Sequence, residues 1–354
     1  MKDTCRVAIA GCHRMLSQKA GGHNHAGGFA AVPAAKVVAV FDRGEDTRRQ
    51  FVDCWSGVWG GLVPYDDYER MLDEAKPDIL CVATRQTMHA DQIEMAVEAG
   101  VKAILCEKPL ATSMAEVDRI IAACRKVPLA LALDRRWTTR YRALREYVAS
   151  GKIGTVQTVL GFGAPNLINH GCHWYDTVLM LAGDPEPVRV SGMVDDLVQE
   201  PNDSSKRLDP PGRVEIELAG GVNMYLTPDG MSATSGLVFE VLGDVGRLLI
   251  FRDGNASFAH TDSPGSEPEA DAPFLVPVAV PAESEGYPPI ERMIGELIEG
   301  VRTGKRTSCD IDRARRATEI GFAVHASSSQ GGKRVTLPLS DRSLRIESLK
   351  WGNE

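Results

Sequence analysis

The first 130 residues alternate short apolar, β-branched runs with stretches of helical periodicity, and few folds satisfy that pattern. A strand buried on both faces reads as an unbroken apolar run, and a helix must carry the chain back before the next parallel strand can form. The expected strands are Cys5 to Ala10 (CRVAIA), Lys36 to Phe41 (KVVAVF), Ile79 to Ala83, Lys102 to Cys106 and Leu129 to Leu133. Helices are expected over His25 to Val32, Tyr68 to Ala75, His89 to Ala99 and Ser113 to Arg125. Gly100 closes the third of these, glycine being the residue that most easily takes a left-handed cap.

Beyond residue 130 the character changes. Arg140 to Ser150 and Gly171 to Ala182 read as amphipathic helices ended by Gly151 and Gly183. Strand-like runs follow at Val188–Val194, Arg213–Leu218, Gly221–Leu226, Leu237–Leu242 and Gly246–Phe251. Gly-Gly, Gly-Asp and Pro-Asp-Gly turns separate them, as in an antiparallel sheet. Glu200–Gly212 and Asp253–Pro288 are rich in Pro, Ser, Asp and Glu and are expected to be loops. Ile290 to Thr303 and Asp310 to Ser328 close the chain as helices, with a short strand at Arg334–Leu337. The expected architecture is therefore α/β: residues 1–130 form a Rossmann dinucleotide-binding domain. Residues 131–354 form an α+β domain built on a large open, mostly antiparallel sheet, for substrate binding and oligomerisation.

Composition narrows the partners. A net charge of −8 argues against nucleic acid or an anionic membrane surface, both of which need dense positive charge. The sequence holds no apolar run of membrane-spanning length, and the N-terminus passes straight into a strand without the apolar stretch of a signal peptide. Eight cysteines lie scattered without a C-x-x-C pair, several inside apolar runs, which suits reduced core thiols and a cytoplasmic location.

A strand, a glycine turn and a helix make a dinucleotide site, because glycine lets the backbone approach a pyrophosphate. Gly11 follows the first strand, but His13 and Leu16 stand where the second and third glycines of the fingerprint belong. About a dozen residues intervene before Gly21-Gly22 and the helical His25. Cys12, His13 and Arg14 are candidates to meet the pyrophosphate instead. Asp42 ends the second strand, where a carboxylate accepts from the adenosine ribose and repels a 2′-phosphate. That favours NAD over NADP, while Arg43 beside it could stack on adenine or meet a phosphate. Taken singly, Gly11 also fits an ordinary loop and Asp42 a solvated strand end.

At Cys106-Glu107-Lys108-Pro109-Leu110 the sequence resembles the Gfo/Idh/MocA oxidoreductases, a family acting largely on sugars and inositols. Val82-Ala83-Thr84 with His89-Ala90 resembles the family's third-strand turn. Asp134-Arg135-Arg136-Trp137 and Tyr141-Arg142-Ala143-Leu144 resemble its N-R-R-F…Y-R-A-L run, and Gly171-Cys172-His173-Trp174-Tyr175-Asp176 matches G-x-H-x-x-D. Phe239–Gly243 with Gly246–Leu248, and Gly331–Leu339, resemble its late segments. The resemblance implies that Lys108 hydrogen-bonds the substrate hydroxyl and helps hold the nicotinamide ribose, with Glu107, Thr84 and His89 on the cofactor. The physical logic is independent of it: a lysine at the carboxyl edge of a parallel sheet points into the ligand crevice and stabilises a developing alkoxide. The family's Lys-Pro bond is often cis.

His173 is the second candidate, since an imidazole titrates near neutrality and can take the hydroxyl proton during hydride transfer. The family pairs it with an Asp four residues earlier, and here that position is Asn169. An amide orients an imidazole but stabilises imidazolium less than a carboxylate does. Asp176 is expected to anchor the helix, with His170 and Tyr175 as secondary substrate contacts. Arg136, Trp137 and Asn166 complete the expected substrate set. Only Gly161–Ile168 joins the strand Val156–Leu160 to Asn169, shorter than the family's usual stretch, which suggests a pocket open to a glycoside or sugar derivative.

Two His/Cys clusters, Cys12-His13-His23-His25 and His170-Cys172-His173, carry zinc-type ligands. His173 already has a role and Cys172 should face the other side of its helix, so no metal is expected. The leading reading is an NAD(P)-dependent dehydrogenase or reductase of sugar, polyol or glycoside CH–OH groups. It assembles as a homodimer or homotetramer through the C-terminal sheet. The alternatives are an enzyme that retains NAD and cleaves glycosides through transient oxidation, and a non-catalytic NAD or sugar sensor.

Overall fold

The computed structural model describes residues 4–21, 23–195, 199–200, 203–228, 236–252, 256–260 and 275–347. Gly22 and the Asp229-Gly230 turn lie outside the described residues, as do residues 261–274 of the second expected loop. The chain divides into two compact units: Met1–Thr138 with Glu283–Arg315, and Thr139–Ala282 with Arg316–Glu354. The segment containing the helix Pro288–Thr303 thus belongs with the first unit, whereas the expected boundary near residue 130 grouped it with the second.

The first unit holds six parallel strands: β1 (Cys5–Ala10), β2 (Ala35–Phe41), β3 (Val63–Tyr65), β4 (Ile79–Val82), β5 (Ala103–Cys106) and β6 (Leu129–Leu131). Their order is β3-β2-β1-β4-β5-β6, that of a doubly wound dinucleotide-binding sheet. Val7, Ala8, Ile9 and Ala10 have no exposed surface, as expected of a strand covered on both faces. The strand order reverses between β1 and β4, so the crevice for a ligand lies where their carboxyl ends part.

Five helices connect these strands: α1 (His25–Ala31), α2 (Glu45–Trp55), α3 (Tyr68–Ala75), α4 (His89–Glu98) and α5 (Met114–Ala123). Capping side chains fix where they begin. Asn24 accepts from Gly27 N–H, Asp67 from Arg70 N–H and Ser113 from Glu116 N–H. Glu116 reaches back to the Thr112 N–H at 2.7 Å, which fastens the chain just after the Lys108 turn. The pair Gly27-Gly28 lets α1 pack closely against the 283–315 segment. A Cβ on Gly27 would meet the Tyr287 ring at 2.1 Å, and one on Gly28 would meet Ile290 at 2.3 Å.

In the second unit α6 (Thr139–Ala149), β7 (Val156–Phe162) and α7 (Gly171–Leu181) precede the sheet strands. These are β8 (Pro187–Val194), β9 (Gln199–Glu200), β10 (Asp203–Leu208), β11 (Gly212–Leu218), β12 (Asn223–Thr227), β13 (Leu237–Gly243), β14 (Gly246–Phe251), β15 (Ala256–His260), β16 (Val276–Val278), β17 (Val335–Thr336) and β18 (Arg345–Glu347). Eight of them, with β7, form one mixed sheet in the order β16-β15-β14-β13-β7-β12-β11-β8-β17. Among the described residues of this sheet only the β7–β12 pair is parallel, so it is mostly antiparallel as expected. Two expected loops carry strands instead: β10 lies in 200–212, where it pairs with β18 and β9, and β15 and β16 lie in 253–288. Inward residues Val159, Ile216, Met224, Phe239, Val241 and Leu248 build the core. Against it α7 lays Trp174, whose indole N–H donates to the Phe162 carbonyl at 3.0 Å.

Candidate active site

The carboxyl edge of the first sheet gathers most of the expected cofactor residues. Gly11 has φ +84, and a Cβ there would meet the Ala83 carbonyl oxygen at 2.6 Å and the Thr84 nitrogen at 2.7 Å. Glycine is therefore required for the turns after β1 and β4 to lie against each other. Asp42, at the end of β2, accepts from Cys12 N–H at 3.0 Å through one oxygen and from Gly44 N–H at 3.0 Å through the other. The Cys12 thiol also donates to the first of these oxygens at 3.7 Å, so the oxygen that takes Gly44 N–H is the one with a second lone pair to offer. The Cys12 thiol is pushed well above its ordinary value by burial and by the Asp42 carboxylate, so it is no thiolate ligand.

The segment that replaces the glycine fingerprint is folded in its own right. Met15 is buried, and its carbonyl accepts from the Trp55 indole at 2.7 Å. The Asn24 amide spans it, donating to Ser17 at 2.6 Å and Lys19 at 3.0 Å. Tyr287 and Gln18 tie it further, the tyrosine hydroxyl donating to the Gln18 carbonyl at 2.7 Å. His13 and Arg14 stand exposed on its first turn.

Lys108 is half-buried on the turn that leaves β5, and its bond to Pro109 is cis. Glu107 beside it is buried. One carboxylate oxygen is 2.7 Å from His25 Nε2 and 3.1 Å from His23 Nδ1, and the other accepts the Lys108 N–H at 3.1 Å. Burial alone would raise the Glu107 carboxyl, but the hydrogen bonds and charges of His23 and His25 hold it well below the usual carboxylate range. Asp134 lies in the same electrostatic neighbourhood, and burial raises its carboxyl. His23 and His25 thus serve Glu107, a role that spacing alone did not reveal. Among the described residues no group of three or more His, Cys, Asp or Glu is placed to hold a metal ion.

His89 sits between the β4 turn and the Lys108 turn, each ring nitrogen 3.1 Å from a carbonyl oxygen, that of Leu110 or of Thr84, and a neutral ring donates to one of them. Burial lowers its pKa. Thr84 donates its hydroxyl to the Gln92 side-chain oxygen at 2.5 Å, leaving the buried Gln92 Nε2 without a partner among the described residues. Beside Gln92 a cavity of about 490 Å³ opens at the end of β2, lined by Phe41, Arg43, Tyr68, Met88 and Met95 among others. Asp42 and the Gln92 amide offer a dinucleotide an acceptor and an unpaired donor, and Arg43 flanks the cleft, which Asp67, Glu69 and Asp91 line as well. Arg136 and Trp137 are buried, and Arg292 donates to the Trp137 carbonyl at 2.5 Å.

The remaining candidates belong to the second unit. Asn169, His170 and His173 are half-buried at the entry to α7. Asn166 is buried and its side-chain oxygen accepts the His170 N–H at 2.7 Å, so it shapes the loop. Tyr175 and Asp176 are buried, and burial with the nearby Asp209 charge raises the Tyr175 hydroxyl well above its ordinary value. Asp209 escaped sequence reading altogether.

The family of oxidoreductases with an NAD-binding Rossmann fold, GFO_IDH_MocA, matches residues 5–134. Residues 5–134 thus match the NAD-binding Rossmann domain of the Gfo/Idh/MocA oxidoreductases. A D-apiose dehydrogenase from Paraburkholderia graminis is 31% identical over 135 residues, covering 37% of this chain and 34% of that protein. The D-glucoside 3-dehydrogenase of Escherichia coli is 27% identical over 201 residues, covering 51% and 54%. The chain thus spans about a third to a half of the curated relatives it matches. In fold, a levoglucosan dehydrogenase solved with NADH and L-sorbose superposes with a TM-score of 0.76 at 18% identity, covering 95% of this chain and 100% of that one. The matched residues join the Glu107-Lys108-Pro109 turn to a folded segment that stands where a dinucleotide fingerprint has its second and third glycines.

Proposed function

We propose that the protein is an NAD-dependent oxidoreductase acting on a secondary alcohol or ketone of a sugar, polyol or glycoside, with NADP as the poorer cofactor. The observation that carries this reading is Lys108, half-buried at the carboxyl edge of the parallel sheet on a turn anchored by the ionised Glu107. Bound NAD would supply the hydride acceptor. Asp42 and Arg43 would hold its adenosine end, Gly11, Cys12, His13 and Arg14 its pyrophosphate, and Thr84 with the Lys108 turn its nicotinamide end. The Lys108 ammonium would favour the alkoxide form of the substrate hydroxyl. His173, oriented by Asn169, would take that hydroxyl's proton.

Residues 1–130 would carry the cofactor and the second sheet the substrate. Met193 and Tyr225, exposed on β8 and β12, favour association through that sheet, which sedimentation would check. The short 163–168 segment, with the D-glucoside and levoglucosan relatives, favours a glycoside or sugar derivative over a free monosaccharide. Calorimetric titration with NAD, then an NADH-absorbance screen of aryl glucosides against glucose and myo-inositol, tests this. Micromolar NAD binding and higher kcat/KM for the glucosides support the reading. Absence of NAD binding contradicts the enzyme reading, and a strong preference for the free polyols contradicts the glycoside. NAD that co-purifies and turns over without net NADH release would redirect it to glycoside cleavage.

A further inference from the structure

We propose that Asp209 is the positioning residue of the α7 site, fixing the backbone from which Asn169 and His173 project. The inference rests on the proposed role of that pair. Asp209 has no exposed surface, and it follows β10 in a stretch whose composition reads as loop. One of its carboxylate oxygens accepts from Leu167 N–H at 3.0 Å and Ile168 N–H at 2.7 Å, and the other from Asn169 N–H at 2.8 Å. A buried carboxylate is tolerated only when donors satisfy its oxygens, and here the donors are three consecutive backbone amides of the loop entering α7.

Two further contacts close the loop. Asn166 accepts the His170 N–H at 2.7 Å. On another side, a Cβ on Gly321 would meet the Leu167 carbonyl oxygen at 2.9 Å and Ile168 at 2.6 Å. From this held loop the α7 hydrogen bonds begin, Cys172 N–H to the Ile168 carbonyl at 3.2 Å and His173 N–H to the His170 carbonyl at 2.9 Å. Asp209 meets Asn169 through the backbone amide, so its carboxylate sets where Asn169 and, one helical turn on, His173 point.

The test is Asp209→Asn in the full chain. An amide offers one acceptor oxygen and turns an N–H₂ toward the third amide, so the loop loses its fixed geometry while the side chain keeps its size. Expected are an NAD affinity within about twofold of wild type, a substrate KM within about threefold, and kcat lower by about tenfold or more. A misplacement of about 1 Å costs on the order of a hundredfold. Hydrogen exchange of the 164–172 peptide should quicken, and the thermal midpoint should fall by several degrees because a buried backbone amide loses its acceptor. An unchanged kcat, or parallel loss of NAD binding and kcat, overturns the proposal.

If the variant does not fold, exchange in the wild-type protein decides. Leu167 N–H also meets the Pro210 carbonyl at 3.1 Å, so the amides that report on Asp209 are those of Ile168 and Asn169. They must be far slower than that of Ala164 in the same loop, and equal rates overturn the proposal. If wild type neither binds NAD nor oxidises any sugar, the functional reading fails by itself. The exchange result still reports on Asp209.

Discussion

His25 Nε2 lies 2.7 Å from Glu107 Oε1, so a residue at the start of α1 holds the carboxylate that precedes Lys108. The same carboxylate takes the Lys108 N–H, so the segment replacing the glycine fingerprint and the Glu-Lys-Pro turn are one construction.

Glu107→Gln should therefore lower kcat by about tenfold or more while leaving NAD affinity within a few-fold, since the turn carrying Lys108 loses its charged anchor. Steady-state kinetics alongside NAD titration checks this split.

Glu107 also sets a pH dependence of stability. Its folded pKa is depressed, so its contribution is fully present above the unfolded carboxyl value near about 4.5. That contribution is lost as pH falls from there toward the lower folded value. Denaturation between pH about 6 and 3 should show wild type losing stability below about 4.5, with Glu107→Gln showing a shallower loss.

Gly11→Ala forces a left-handed conformation on alanine and drives a methyl into the backbone of Ala83 and Thr84 at 2.6–2.7 Å. We expect a loss of about 2 kcal/mol or more, read by urea denaturation. A change under about half a kcal/mol would show that the two turns separate easily.

Asp42→Ser removes the charge that disfavours a 2′-phosphate and leaves Arg43 to meet it. The ratio of kcat/KM for NAD over NADP should fall by about tenfold or more.

Much of this arrangement was legible in the sequence. Most residues of β1, β2, β4 and β5 are buried on both faces, so VAIA, VVAVF, ILCV and AILC show as unbroken apolar runs. Helix α2 did not show, because only Phe51 and Trp55 are buried along its eleven residues. Strand β3 buries only Tyr65, and β10 reads DSSKRL, with no alternation to betray its pairing with β18. Lys108 was legible from its local run. His23 and His25 read as zinc-type ligands because their partner lies more than eighty residues away, at Glu107. Asp209 was invisible for the same reason: its partners are three backbone amides some forty residues earlier, and no side-chain pattern records them.

The most direct test of the account is rapid-mixing NADH absorbance with saturating NAD and an aryl glucoside, comparing wild type with Lys108→Met. The account predicts that both proteins bind NAD within a few-fold of each other, and that the variant's hydride-transfer rate falls by about a hundredfold or more. A variant that forms NADH at the wild-type rate would contradict it.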